Sequence, residues 1–97
     1  MNNIRPIHPG EILKEEYLEP LGMSANALAK ALHVPAPRVN DLVRQRRAVS
    51  IDTALRLARY FNTTAQFWLN LQNSYDLKIA QASKTKIEKE ILPLQVA

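Results

Sequence analysis

The sequence predicts an all-α fold of five helices followed by a C-terminal tail, and three observations carry that reading. The 97 residues include only two glycines and no alternating β-branched runs, which disfavours strands. Apolar residues recur at three- and four-residue spacings along most of the chain. Each periodic stretch is also preceded by a capping residue or a proline.

The first helix opens at Pro9, with His8 before it and Glu11 in a first turn that favours negative charge. Ile12, Leu13, Tyr17 and Leu18 give it an apolar face, and Pro20 with Gly22 is expected to stop it. Ser24 caps a second helix, ANALAKAL, whose Leu28, Ala29 and Leu32 share one side. A third runs from about Ala36 to Gln45, with Val39, Leu42 and Val43 inward. Ser50 caps a fourth, with Ile51, Ala54, Leu55, Ala58 and Phe61 inward. Thr63 followed by Gln66 matches a capping box for a long fifth helix striped by Trp68, Leu71, Tyr75 and Ile79. The chain then divides into a domain over residues 1–83 and an extension over 84–97, KTKIEKEILPLQVA, which is charged, then apolar, and helical or flexible.

Composition narrows the function classes. Hydrophobic residues are 46% and charged ones 23%, ordinary for a globular domain. No apolar run approaches the roughly 18 residues that a membrane span needs. The opening MNNIRPIHPG lacks the basic-then-apolar build of a secretory signal. The absence of cysteine excludes disulfides and thiolate metal sites, and a cytoplasmic protein is the expectation. His8 and His33 lie far apart with no carboxylate cluster beside them, so no metal or other cofactor is expected. Adjacent Glu15 and Glu16 point apart on a helix, no glycine-rich phosphate loop exists, and nothing argues for catalysis.

The net charge of +4 is unevenly spread. Glu11, Glu15, Glu16 and Glu19 against Lys14 make residues 11–19 net −3. Six arginines, at 38, 44, 46, 47, 56 and 59, against Asp41 and Asp52 make residues 35–60 net +4. The basic middle suggests a polyanion as partner.

The stretch HVPAPRVNDLVRQRR, residues 33–47, concentrates that charge. Pro37 falls in the first turn of the third helix, where a missing N–H costs nothing, and Pro35 shapes the turn before it. His33 occupies a sharp inter-helix turn where a positive φ is expected. Residues 24–45 therefore read as helix, tight turn, helix, with Ala29 small at the crossing and Leu28, Leu32, Val34, Val39 and Leu42 setting its angle. In this plan the second helix enters the DNA major groove. Arg38 and Arg44 are placed for guanine edges or phosphates, and Asn40 for adenine. Asp41 lies close to them, either repelling DNA or orienting an arginine, and a pair with Arg44 is one expectation. Arg46 and Arg47 suit backbone phosphates, as do the N–H groups at the helix starts near Ser24 and Ser50.

HPGEIL at 8–13, EYLEPLG at 16–22, RAVSIDTALRLA at 47–58 and FWLNLQ at 67–72 resemble the HigA-type, VapI-like antitoxins of the XRE, lambda-repressor-like helix-turn-helix group. The resemblance covers roughly residues 8–80. It implies a five-helix domain acting as a homodimer on palindromic operator DNA, repressing its own operon and neutralising a HigB-like ribonuclease toxin. It matches Ala36, Pro37, Arg38, Asn40, Asp41 and Arg44 to the reading helix. The chain departs from the usual Ser-Arg-x-Thr-like start of that helix with Pro35-Ala36-Pro37, which gives Arg38 and Asn40 more weight. Trp68, Leu71 and Tyr75, large and on one helix, are the expected dimer contact. Two alternatives stand beside this: a stand-alone regulator of the same family, and a protein-interaction module whose helix-turn-helix is only a scaffold, its acidic helix holding a basic partner.

Overall fold

The computed structural model describes residues 5–95 and contains six helices among them. Residues 1–4 of the opening stretch and 96–97 of the tail lie outside the described residues.

Helix α1 is continuous through an α-helical turn at Pro9–Ile12, a π-helical stretch at Leu13–Leu18 and a last turn at Glu19–Leu21. The Glu19 N–H donates to the Lys14 carbonyl, five residues back, which widens the helix at that point. Pro20 follows immediately; in a regular α-helix its ring would meet the carbonyl four residues earlier. The widened turn accommodates it, so Pro20 does not stop the helix as the sequence suggested. Gly22 does, at a φ of 61°.

Helices α2 (Ala25–Leu32), α3 (Ala36–Val43), α4 (Ile51–Phe61), α5 (Ala65–Ile79) and α6 (Gln81–Glu90) follow. Helices α1 to α4 share one ending. Gly22, His33, Gln45 and Asn62 take left-handed φ values of 61°, 60°, 63° and 57°. The next residue in each case returns its N–H to a carbonyl five back: Met23 to Leu18, Val34 to Ala29, Arg46 to Asp41, Thr63 to Ala58. Helix α3 accordingly ends at Val43, short of the expected Gln45, because Gln45 is itself the left-handed residue.

The core is Leu13 and Leu18 of α1, Leu28, Ala29 and Leu32 of α2, Val39 and Leu42 of α3, Val49, Ala54 and Leu57, and Trp68 of α5. Three inward assignments are overturned. Ile51 and Leu55 are 66% and 57% exposed, and the inner face of α4 is Thr53, Ala54 and Leu57 instead. A helix carrying apolar residues at 51, 54, 55, 57, 58 and 61 has two apolar stripes, and α2 and α5 cover only one. Ile79 is also exposed, since it lies beyond the last core contact of α5. The cap of α5 is Thr64, which accepts the Phe67 N–H at 3.0 Å. Thr63 instead accepts the indole N–H of Trp68 at 2.9 Å.

Helix α6 continues α5 beyond a break at Ala80 and buries nothing. The division drawn between residues 83 and 84 falls inside it. The Cα radius of gyration is 16.8 Å, against about 12.5 Å for a compact chain of this length, and the long axis is 57 Å. The excess is this arm.

Candidate nucleic-acid interface

Three local features put α3 where it stands. Ser24 accepts the Ala27 N–H at 3.0 Å and starts α2. His33, at positive φ, turns the chain, and Pro35 enters α3 extended with Pro37 in its first turn. Ala29, nearly inaccessible, lets the backbones of α2 and α3 come close. Val39 and Leu42 then face the core, with Ala36 at its edge, and Ala36, Pro37, Asn40, Asp41 and Arg44 with Asn26 of α2 line one open concavity.

The turn after α3 carries Arg44, Gln45, Arg46 and Arg47, all exposed. Its far end is anchored: Val49 is buried, and its N–H donates to Gln72 Oε1 at 2.8 Å, while Gln72 donates to Asp76 at 3.0 Å. Gln72 is a buried polar residue that the periodicity of α5 did not reveal. Arg44 has no ion pair among the described residues, and Asp41 pairs with Arg47 at 3.6 Å rather than with Arg44. Asp41 thus holds an arginine of the basic turn.

Arg38 is less free than the sequence suggested. Its guanidinium binds Asp52 at the start of α4, and Asp52 also accepts from Arg56 Nε at 2.9 Å. Arg56 in turn donates to the Leu32 carbonyl at 2.8 Å. The hydrogen bonds from Arg56 and then Arg38 hold the Asp52 carboxyl below the usual carboxylate range. This latch joins the end of α2, the start of α3 and the start of α4. Asn40 is likewise engaged, donating to Asn26 Oδ1 at 2.7 Å and to the Ala36 carbonyl at 3.0 Å. Neither contact was legible, because Asn26–Asn40 and Arg38–Asp52 each join residues fourteen apart.

The hydroxyls of Ser24 and Ser50 are occupied as caps, Ser50 accepting the Thr53 N–H at 3.2 Å. What these helix starts offer an anion is their remaining backbone N–H groups, and at α4 the Asp52 carboxylate already stands there. Trp68 is fully buried within its own core against Tyr17, Phe61 and Phe67, which removes it from contact with a second copy. Leu71 and Tyr75 are partly buried, Tyr75 meeting the His8 ring edge-on at 4.8 Å. The acidic face of α1 is smaller than its sequence, since Glu11 is taken by Arg5 while Glu15, Glu16 and Glu19 are exposed. No helix among the described residues is long and apolar enough to cross a membrane.

Comparisons place this geometry among known proteins. A helix-turn-helix family model matches residues 14–68. The chain is 58% identical over 93 residues to virulence-associated protein I of Dichelobacter nodosus, spanning 96% of this chain and 85% of that protein. It is 36% identical over 93 residues to antitoxin HigA-1 of Vibrio cholerae, spanning 96% and 88%. Among solved structures, the Pseudomonas aeruginosa antitoxin HigA with the higBA promoter matches at a TM-score of 0.89 and 55% identity, covering 94% of this chain and all of that one.

Proposed function

From its membership of the XRE-type helix-turn-helix family, among the HigA-type and VapI-like proteins, we propose that this chain is a DNA-binding transcriptional repressor that acts as the antitoxin of a toxin–antitoxin pair. The observation that carries the reading is the outer face of α3, Ala36, Pro37, Asn40, Asp41 and Arg44, continuous with the exposed turn Arg44–Arg47. Helix α3 enters the major groove of operator DNA. Arg44 faces base edges or the nearest phosphate, and Arg46 and Arg47 bind backbone phosphates. The N–H groups after Ser24 add phosphate contacts, whereas those after Ser50 share the start of α4 with the Asp52 carboxylate, which opposes a phosphate there. Arg38, through Asp52, sets the angle of α3 rather than reading a base in this conformation. The protein works as a homodimer in the bacterial cytoplasm, residues 1–83 binding DNA and the extension, with the end of α5, joining the two copies. Its second partner is a HigB-like ribonuclease toxin. No enzymatic activity belongs to this family of regulators.

The experiment is a binding titration against the DNA upstream of the gene, with scrambled DNA as control, at two salt concentrations. Wild type is expected to prefer the upstream DNA and to lose affinity steeply with salt. Arg46→Ala should bind every duplex more weakly and lower the log–log salt slope by about 0.9, one phosphate contact. Equal, salt-insensitive binding to both DNAs would overturn the repressor reading. Co-expression with the product of the adjacent gene tests the antitoxin role, whose expected result is a co-purifying complex and restored growth.

A further inference from the structure

We propose that Asn26 fixes Asn40 as an acceptor-only base reader, so that the base facing Asn40 is selected for an exocyclic amino group, adenine or cytosine alike. This rests on the DNA-binding reading above and specifies its selectivity at one position. The Ala36 carbonyl can only accept, so the group against it at 3.0 Å is the amide nitrogen Nδ2 of Asn40. The same nitrogen donates to Asn26 Oδ1 at 2.7 Å. An amide nitrogen carries two hydrogens, and both are committed.

The usual recognition of adenine by asparagine needs one of those hydrogens, donated to N7 while Oδ1 accepts from N6. Here none is left. The remaining group is Oδ1, which has no partner among the described residues. No buried side-chain nitrogen or oxygen among those residues lacks a partner, so Oδ1 is not buried. Asn40 lines, with Asn26, Ala36, Pro37, Asp41 and Arg44, the open concavity along α3. A lone acceptor in the major groove is attracted by the amino groups of adenine N6 and cytosine N4 and repelled by guanine O6 and thymine O4. Asn26, exposed in the first turn of α2, is therefore a positioning residue: it acts through Asn40 by occupying the hydrogen that would otherwise discriminate adenine from cytosine.

The test is a fluorescence-anisotropy titration of wild type, Asn40→Ala, Asn26→Ala and Asn26→Asp against the upstream duplex and its single base-pair variants. The position whose base preference disappears in Asn40→Ala is the one Asn40 reads. There, wild type should bind the adenine and cytosine duplexes within about threefold and the guanine and thymine duplexes about tenfold more weakly. Asn26→Ala frees one N–H and should favour adenine over cytosine by about tenfold. Asn26→Asp keeps the acceptor and should keep the wild-type adenine-to-cytosine ratio, while its added charge weakens binding to every duplex. The proposal is overturned if wild type already prefers adenine tenfold, if Asn40→Ala leaves every preference intact, or if Asn26→Ala weakens all duplexes equally as a simple staple between α2 and α3 would. A wild type that does not distinguish upstream from scrambled DNA sinks the repressor reading first, and this inference with it.

Discussion

At the start of α1 His8 takes the capping role that Ser24 and Ser50 fill for α2 and α4. Its Nδ1 accepts the Gly10 N–H at 2.9 Å, so the ring's proton sits on Nε2. The side chain is only 4% exposed, and burial pushes its pKa below the ordinary value of about 6.5, with Asp76 pulling the other way. The folded state therefore binds fewer protons than the unfolded chain once the pH drops below about 6.5. Stability from this residue is full above that pH and is lost as pH falls toward the folded pKa, because protonation both charges a buried ring and blocks the cap. Wild type should show a lower thermal midpoint at pH 5.5 than at pH 8, and His8→Asn, a neutral cap, should flatten that difference. An unchanged pH dependence in His8→Asn would show that the titration belongs to other groups. The sequence showed His8 standing before a helix but not that it is buried, since burial is decided by Tyr75, some 67 residues on. The same limit hid Asn26 from Asn40 and Asp52 from Arg38: side-chain bonds between separate helices leave no periodic trace.

Elements were legible where their signals are local. The caps at Ser24 and Ser50, Pro37 in the first turn of α3 and the turn at His33 all lie within four residues of what they control. Boundaries failed where the stop signal was a non-glycine left-handed residue, as at Gln45, or where two threonines competed, as at Thr63 and Thr64. The two glycines separate two physical demands. At Gly10 a Cβ would stand 1.8 Å from the Leu42 carbonyl oxygen, a backbone atom of α3. At Gly22 the space is open, but φ is 61°. Gly10→Ala must push α1 away from α3 and is expected to cost about 3 kcal/mol in urea unfolding, the upper part of the overpacking range. Gly22→Ala should cost about 1 kcal/mol, from backbone conformation alone. Because the displaced carbonyl belongs to α3, Gly10→Ala should also weaken operator binding more than its loss of stability explains, when measured well below its unfolding midpoint. A smaller cost at Gly10 than at Gly22 would refute the close crossing of α1 and α3.

For the whole molecule, the fold class follows from helical periodicity that any stretch of ten or more residues reveals, whereas the arm's protrusion depends on what does not pack against it. Its apolar residues, Leu77, Ile79, Ile87, Ile91, Leu92 and Leu94, are 51–89% exposed. Leu77 and Ile87 share an open hollow with Ala80, Ser83 and Lys84 across the α5–α6 break. A ten-residue helix that buries nothing is marginal in water by itself. In the proposed dimer, burying these side chains against a second copy would supply the missing stabilisation. The same pairing would bring two copies of α3 together for half-sites about 34 Å apart. A chain stopped after Ser83 should therefore run as a monomer in light scattering, and full-length Ile87→Asp should weaken the dimer while keeping its helices by circular dichroism. Both variants should keep residual, salt-sensitive DNA binding with weaker preference for the upstream sequence, because one half-site contact remains where two acted together. Dimers persisting in both would move the interface to the other exposed apolar face, Ile51, Leu55 and Tyr60 on α4.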